Sequence, residues 1–210
     1  KSDIGIPADE AVTLWQEMFG SVGIEAKVVN FPEKDGMQSG RIFYYDETKN
    51  WWSRVGVTAN MPIGEPGGPD SEVFYDFGIE RKLHENSVFK NEPCHPNCDC
   101  GRFLEIANNV FMTYQKTDSG FEPLAQKNID FGGGLERMAA AANDDPDVFK
   151  TDLLQPIITI LEQLSNKKYS DTAYTSTMRI IADHVRGSVM MMVDGVRPGN
   201  KTQSYILRRL

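Results

Sequence analysis

Long apolar runs are missing from this 210-residue chain. The longest candidate, Val189 to Val193, falls far short of the roughly 20 residues that a bilayer-spanning helix needs. Lys1 is followed by polar residues, so the start does not read as a signal peptide. Basic charge is also scarce. Against 30 Asp and Glu stand 22 Lys and Arg, a net charge of −8, which argues against a general nucleic-acid binder because phosphate contacts need cations. Cysteine is limited to Cys94, Cys98 and Cys100. An odd, clustered set is no disulfide framework and fits a reducing cytoplasm better than secretion. Ser-His-Asp and Cys-His constellations of nucleophilic catalysis are absent too. With no initiator Met and an abrupt end at Leu210, the expectation is a piece of a longer protein.

What is present fits a globular α+β chain, with 40% hydrophobic residues to build a core. Ala11, Leu14, Trp15, Met18 and Phe19 predict a helix from Ala8 to Phe19. Ile24 to Phe31, Arg41 to Tyr45 and Val73 to Phe77 read as short strands. Asn50 to Pro69 is rich in Gly and Pro and reads as a shaped loop. Arg102 to Tyr114 is the strongest strand in the chain. A turn at Thr117 to Gly120 leads to a second strand ending near Ile129. A helix is expected over Leu135 to Ala142 and another, capped by Asp152, as far as Leu164. Met178, Ala182, Val185, Val189 and Met192 then mark a long amphipathic helix closed by Gly195, and Gln203 to Leu210 opens a last, basic one. A domain boundary falls near Asn166.

The most informative segment is Ile129 to Arg137, I-D-F-G-G-G-L-E-R. Asp130 ends a strand, and Gly132, Gly133 and Gly134 form a shelf where a ligand can approach bare backbone. The helix that follows aims Arg137 at the same space, where a guanidinium pairs with phosphate oxygens at two points. Asp130 suits an ammonium group. An ordinary glycine turn, with Arg137 solvated or paired to Glu136, is an equal reading of the pattern alone. It is neither a dinucleotide fingerprint nor a Walker loop, because Arg137 stands where a third spaced glycine would fall and no Lys-Ser or Lys-Thr follows.

Cys94-x3-Cys98-x-Cys100, with His95 beside the first cysteine, offers thiolate and imidazole ligands for zinc. The spacing is not that of a standard finger. A reduced polar insertion with incidental cysteines stays open beside the metal reading.

G-G-G-L-E-R resembles motif 3 of the class II aminoacyl-tRNA synthetases, and its surroundings resemble the alanine-specific branch. Phe103 to Met112 (F-L-E-I-A-N-N-V-F-M) is similar to that family's E-I-W-N-x-V-F-M strand. Gly67 to Asp76, Asn50 to Trp52, Met178 to Arg186, Asp194 to Asn200 and Tyr205 to Arg209 match further blocks in the family's order. The resemblance implies part of a class II antiparallel sheet with flanking helices, over residues 1–166 with a cysteine-bearing insertion at about 79–101. The start of a helical tRNA-recognition domain follows at 167–210.

By the same resemblance, ATP and Mg2+ are the cofactors, with zinc at the cysteines if they ligate. Alanine and the tRNA(Ala) acceptor stem are partners, together with the remaining segments of a synthetase; the protein is cytoplasmic, with no membrane partner. Arg137 and Glu105 become the catalytic candidates. ATP would meet Arg137, Glu105, Gly134 and Glu72, and alanine would meet Asp130, Gly132, Val110 and Trp52. Asn200 would read the acceptor stem while Arg208 and Arg209 contact its backbone. Ala107, Phe131, Gly133 and Asp70 depart from the family's pattern (tryptophan, threonine, methionine and cysteine) and bear on pocket shape. No counterpart of motifs 1 and 2 lies upstream of residue 50, so the chain alone is expected to be inactive. A non-catalytic tRNA-binding or regulatory paralogue is the alternative.

Overall fold

A computed structural model of the chain describes residues 9–210, which fall into two compact units, one ending at Pro146 and one running from Asp147 to Leu210. The division lies upstream of the Asn166 boundary expected from composition, because the helix preceding Asn166 packs on the one that follows it. The expected helix start at Ala8 lies outside the described residues.

The first unit opens with α1 (Asp9–Ser21), whose first turn carries Asp9 and Glu10 against the helix dipole. Its packed face is narrower than expected: Trp15 and Phe19 are half-buried, whereas Leu14 and Met18 are exposed. Of the two predicted strands that follow, only β1 (Val28–Val29) and β2 (Ile42–Phe43) form, paired in parallel around the short helix α2 (Pro32–Asp35). Pro32 starts that helix and so cuts β1 short.

The sheet is antiparallel, in the order β3 (Trp51–Ser53), β4 (Pro66–Asp76), β5 (Phe103–Thr117), β6 (Gly120–Gly133). The expected loop over Asn50 to Pro69 therefore contains β3 and the start of β4. Glycine here does not break the strand but lets backbones meet: a Cβ on Gly68 would lie 1.7 Å from the Phe111 carbonyl oxygen. The hairpin between β5 and β6 turns at Asp118-Ser119, with Thr117 opposite Gly120. β6 runs past Ile129 through Gly132 and Gly133, which pair with Asn108 and Ala107, so the glycine shelf is itself the end of a strand. Helix α3 (Leu135–Ala142) then begins, as the sequence predicts, with Gly134 in the N-cap position.

In the second unit, α4 (Gln155–Ser165) starts later than a cap at Asp152 requires. Leu154 holds the N-cap position, which puts Pro156 in the first turn, where a missing N–H costs nothing. Helix α5 (Thr172–Val193) is capped by Asp171, whose carboxylate accepts from the Ala173 N–H at 3.0 Å. It ends at Gly195, whose φ is 87°. Ile158, Tyr169, Met178 and Ala182 form the core of this unit. The expected stripe on α5 splits: Met178 and Ala182 are buried, while Val185, Val189 and Met192 are exposed. Helix α6 (Thr202–Arg209) closes the chain. Among the described residues no helix is long and apolar enough to cross a membrane.

Candidate functional site

Register decides which side chains share a face, since residues opposite one another in an antiparallel sheet point the same way. Val110 sits between Asp70 on β4 and Asp130 on β6; Asn108 sits between Glu72 and Gly132. These six residues form one face. Glu105 would fall on the other by simple alternation, but a β-bulge intervenes. Val73 faces Ala107 and Phe74 faces Glu105, so Ile106 is an extra residue on β5. The bulge turns Glu105 onto the carboxylate face.

Arg137, in the first turn of α3, reaches back to this strand. Its Nη1 donates to the Glu105 carbonyl oxygen at 2.8 Å and to Oε2 at 2.7 Å. The structure thus joins Arg137 to Glu105 across the glycine turn. Gly134 leaves the room: a Cβ there would lie 3.3 Å from the Arg137 stem. Val110 is buried at 7% exposure, a floor between two carboxylates. Asp130 and Gly132 are exposed, and a Cβ on Gly132 would meet nothing within 4 Å. Trp52 stands apart from this group, 37% exposed and opposite Gly68; its neighbour Trp51 is the buried one, its ring tilted against Phe121.

Two polar residues that the sequence reading did not assign to the site complete the face. Asp70 is 6% exposed; its carboxylate accepts from Asn108 Nδ2 at 3.1 Å and Asn50 Nδ2 at 3.5 Å. Burial raises its pKa against those hydrogen bonds. Asn108 Oδ1 is buried with no hydrogen-bond partner. Such an acceptor is costly unless a donor arrives, and it lies on the residue opposite Gly132. An asparagine pair in mid-strand was the available signal.

Glu72 is strongly perturbed. Burial, then the charges of Asp70 and Glu105, push its pKa from 4.5 to about 7, with Lys49 and Arg137 partly opposing. Beside Asp70 and Glu72 opens a cavity of about 580 Å³ walled by Trp15, Phe19, Tyr44, Tyr45 and Phe74. The four carboxylates therefore outnumber the nearby cations, an arrangement suited to a divalent metal or an ammonium group.

Three of the four departures from the family pattern fall elsewhere. Ala107 pairs with Val73 and Gly133, and Phe131 pairs with Asn109. They occupy the opposite face, where α1 packs through the Trp15 indole hydrogen bond to Ser71 Oγ at 3.2 Å. Only Asp70 changes the carboxylate face.

The cysteines lie between β4 and β5. Ligand atoms of His84, Cys94 and Cys100 are all within 4.8 Å of one another, and Cys98 Sγ is 3.7 Å from His84 Nδ1. His95 is held elsewhere, its Nδ1 2.8 Å from the Tyr45 hydroxyl. In the second unit, Asn200 Oδ1 accepts from Arg208 Nη1, and the Arg209 guanidinium lies 6.0 Å from the Tyr205 ring centre.

Residues 3–210 match the family model described as tRNA synthetases class II (A). The chain is 36% identical to an alanine–tRNA ligase of Treponema denticola, over 99% of this chain and 33% of that protein. It is 35% identical to one from Clostridioides difficile, over 99% of this chain and 22% of the relative. A third, from Elusimicrobium minutum, is 41% identical over 81% of this chain and 18% of its own length. The chain thus spans a third or less of the length of these curated relatives.

Proposed function

The chain belongs to the class II tRNA synthetase (A) family, and on that premise we propose that it carries one half of the site at which an alanine–tRNA ligase activates alanine with ATP. The observation that carries this reading is the single face shared by Asp130, Gly132, Val110 and Asn108, bordered by the Arg137–Glu105 pair.

In the proposed reaction a carboxylate oxygen of alanine attacks the α-phosphorus of ATP, and pyrophosphate leaves. A hydroxyl of the terminal adenosine of tRNA(Ala) then attacks the carbonyl carbon, and AMP leaves. The protein positions reactants and neutralises charge rather than forming a covalent bond. Asp130 and the free acceptor of Asn108 receive the α-ammonium group. Gly132 and Val110 limit the space to a methyl group. Arg137 exchanges its Glu105 partner for the γ-phosphate, beside the backbone at Gly134. Glu105 and Glu72 would hold Mg2+, which would screen the triphosphate. Asn200 reads the acceptor stem, with Arg208 and Arg209 on its backbone. Zinc, placed at the cysteine cluster, has no step in this chemistry.

Calorimetry of the purified chain with ATP and Mg2+ tests the reading. Binding is expected, weakened about tenfold or more by Arg137→Ala, the loss of roughly 1.5–3 kcal/mol from a charge-assisted hydrogen bond. Equal binding by the variant would refute the role given to Arg137. The observations do not favour a non-catalytic paralogue, since Ala107, the departure that most invites it, faces away from the site.

A further inference from the structure

We propose that His84, Cys94, Cys98 and Cys100 are the four ligands of one zinc ion, in a closed structural site that fastens the segment between β4 and β5. The inference deepens the placement of zinc at the cysteines by supplying the ligand that their spacing does not reveal.

Tetrahedral zinc, with bonds of about 2.3 Å to sulfur and 2.0–2.1 Å to nitrogen, requires ligand-to-ligand edges of about 3.6–3.8 Å. Cys98 Sγ and His84 Nδ1 are 3.7 Å apart. The ligand atoms of His84, Cys94 and Cys100 all fall within 4.8 Å of one another, and Cys98, outside that mutual set, joins it through its contact with His84. His84, Cys98 and Cys100 are buried.

The imidazole is also oriented for ligation. His84 Nε2 lies 3.1 Å from the Glu92 carbonyl oxygen, which can only accept, so Nε2 carries the proton. Nδ1 is then unprotonated and free to direct its lone pair toward Cys98 Sγ, 3.7 Å away. A backbone carbonyl on the far nitrogen is the usual outer contact of a metal-bound histidine. His95, adjacent to Cys94 in sequence, is instead engaged by Tyr45.

Charge supports the same set. Three thiolates and a divalent ion leave one negative charge, and Arg102 Nη1 lies 3.8 Å from Cys94 Sγ. Arg102 is itself fixed by Asp76 at the end of β4, through Nε and Nη2 at 2.7 Å each. The site therefore joins the end of β4 to the start of β5. Thiolate-rich tetrahedral sets select zinc over the hard cations Mg2+ and Ca2+, and four protein ligands leave no open position for catalysis.

Elemental analysis of the purified chain, produced with zinc supplied, is expected to give one zinc per chain. Exchange for Co2+ should produce a thiolate-to-cobalt charge-transfer band and the visible bands of tetrahedral cobalt. His84→Ala and Cys98→Ser should each lose the metal, and His95→Ala should retain it. Because a ligand variant can fail to fold, the cobalt spectrum of the unaltered chain stands as an independent test. A six-coordinate spectrum without a thiolate band overturns the site. Absence of zinc overturns the cysteine cluster as well, whereas zinc held undiminished by a folded His84→Ala chain overturns only the fourth ligand. Neither result bears on Arg137 and ATP.

Discussion

Glu72 and Asp70 lie on one strand, two positions apart, yet their alternation alone does not say how hard their charges press on each other. Burial first, then Asp70 and Glu105, move Glu72 from 4.5 to about 7. The folded chain therefore binds more protons than the unfolded chain across that interval, and stability falls as pH rises through it. Glu72→Gln removes the ionisation. The variant should match the parent near pH 5 and melt at a higher temperature near pH 8, as followed by thermal unfolding at both. A gain that is the same at both would show that Glu72 is not held protonated by its surroundings. Glu105 entered through the family resemblance, while sequence made Asp130 and Arg137 legible because they flank a glycine run. It did not reveal His84, since nothing in the spacing of three cysteines points to a histidine ten positions upstream of the first. Only the fold of the intervening turns brings them together.

At the scale of elements, two glycines separate a structural role from a functional one. Gly68 in β4 faces the Phe111 carbonyl so closely that an added Cβ would sit 1.7 Å from it. Gly68→Ala should force β4 away from β5, costing more than about 3 kcal/mol in a denaturant titration. Gly132 in β6 has nothing within 4 Å of the same position, so Gly132→Ala should change stability by less than about 0.5 kcal/mol. Its methyl would nevertheless occupy the proposed side-chain space, and alanine binding measured by calorimetry should be lost. A Gly132→Ala chain that folds poorly, or a Gly68→Ala chain that folds well, would reverse the assignment. The same contrast explains a misread element. Gly and Pro over residues 50–69 imply a loop by local preference, but Gly67 and Gly68 serve close strand approach. The sequence pattern ends β6 near Ile129, so only the observed pairing, which carries the two-residue period on through Gly133, puts Ala107, Phe131 and Gly133 opposite the carboxylates. The bulge at Ile106 breaks that period, and pairing with β4 alone shows that Glu105 crosses over.

For the whole molecule the question is whether one face of this sheet suffices for chemistry. In the proposed reaction ATP would bring a triphosphate to a surface that already carries Asp70, Glu72, Glu105 and Asp130, with Arg137 committed to Glu105 at 2.7 Å. The charge at Glu72 is offset only in part by Lys49 and Arg137. Mg2+ can mediate the approach, so chelation with EDTA should abolish ATP binding by the chain. Stabilising the transition state asks for more, because negative charge develops on the α-phosphoryl oxygens and on the departing pyrophosphate. Arg137, assigned to the γ-phosphate, cannot also serve the α-phosphorus. The ligases it resembles are at least three times as long, and a second arginine for that position is proposed to come from their remaining segments. The purified chain should therefore bind ATP with Mg2+ but show no alanine-dependent exchange of pyrophosphate into ATP. Exchange above background that disappears in Arg137→Ala would mean that the α-phosphate is served from within these residues, and the division of the site proposed here would have to be abandoned.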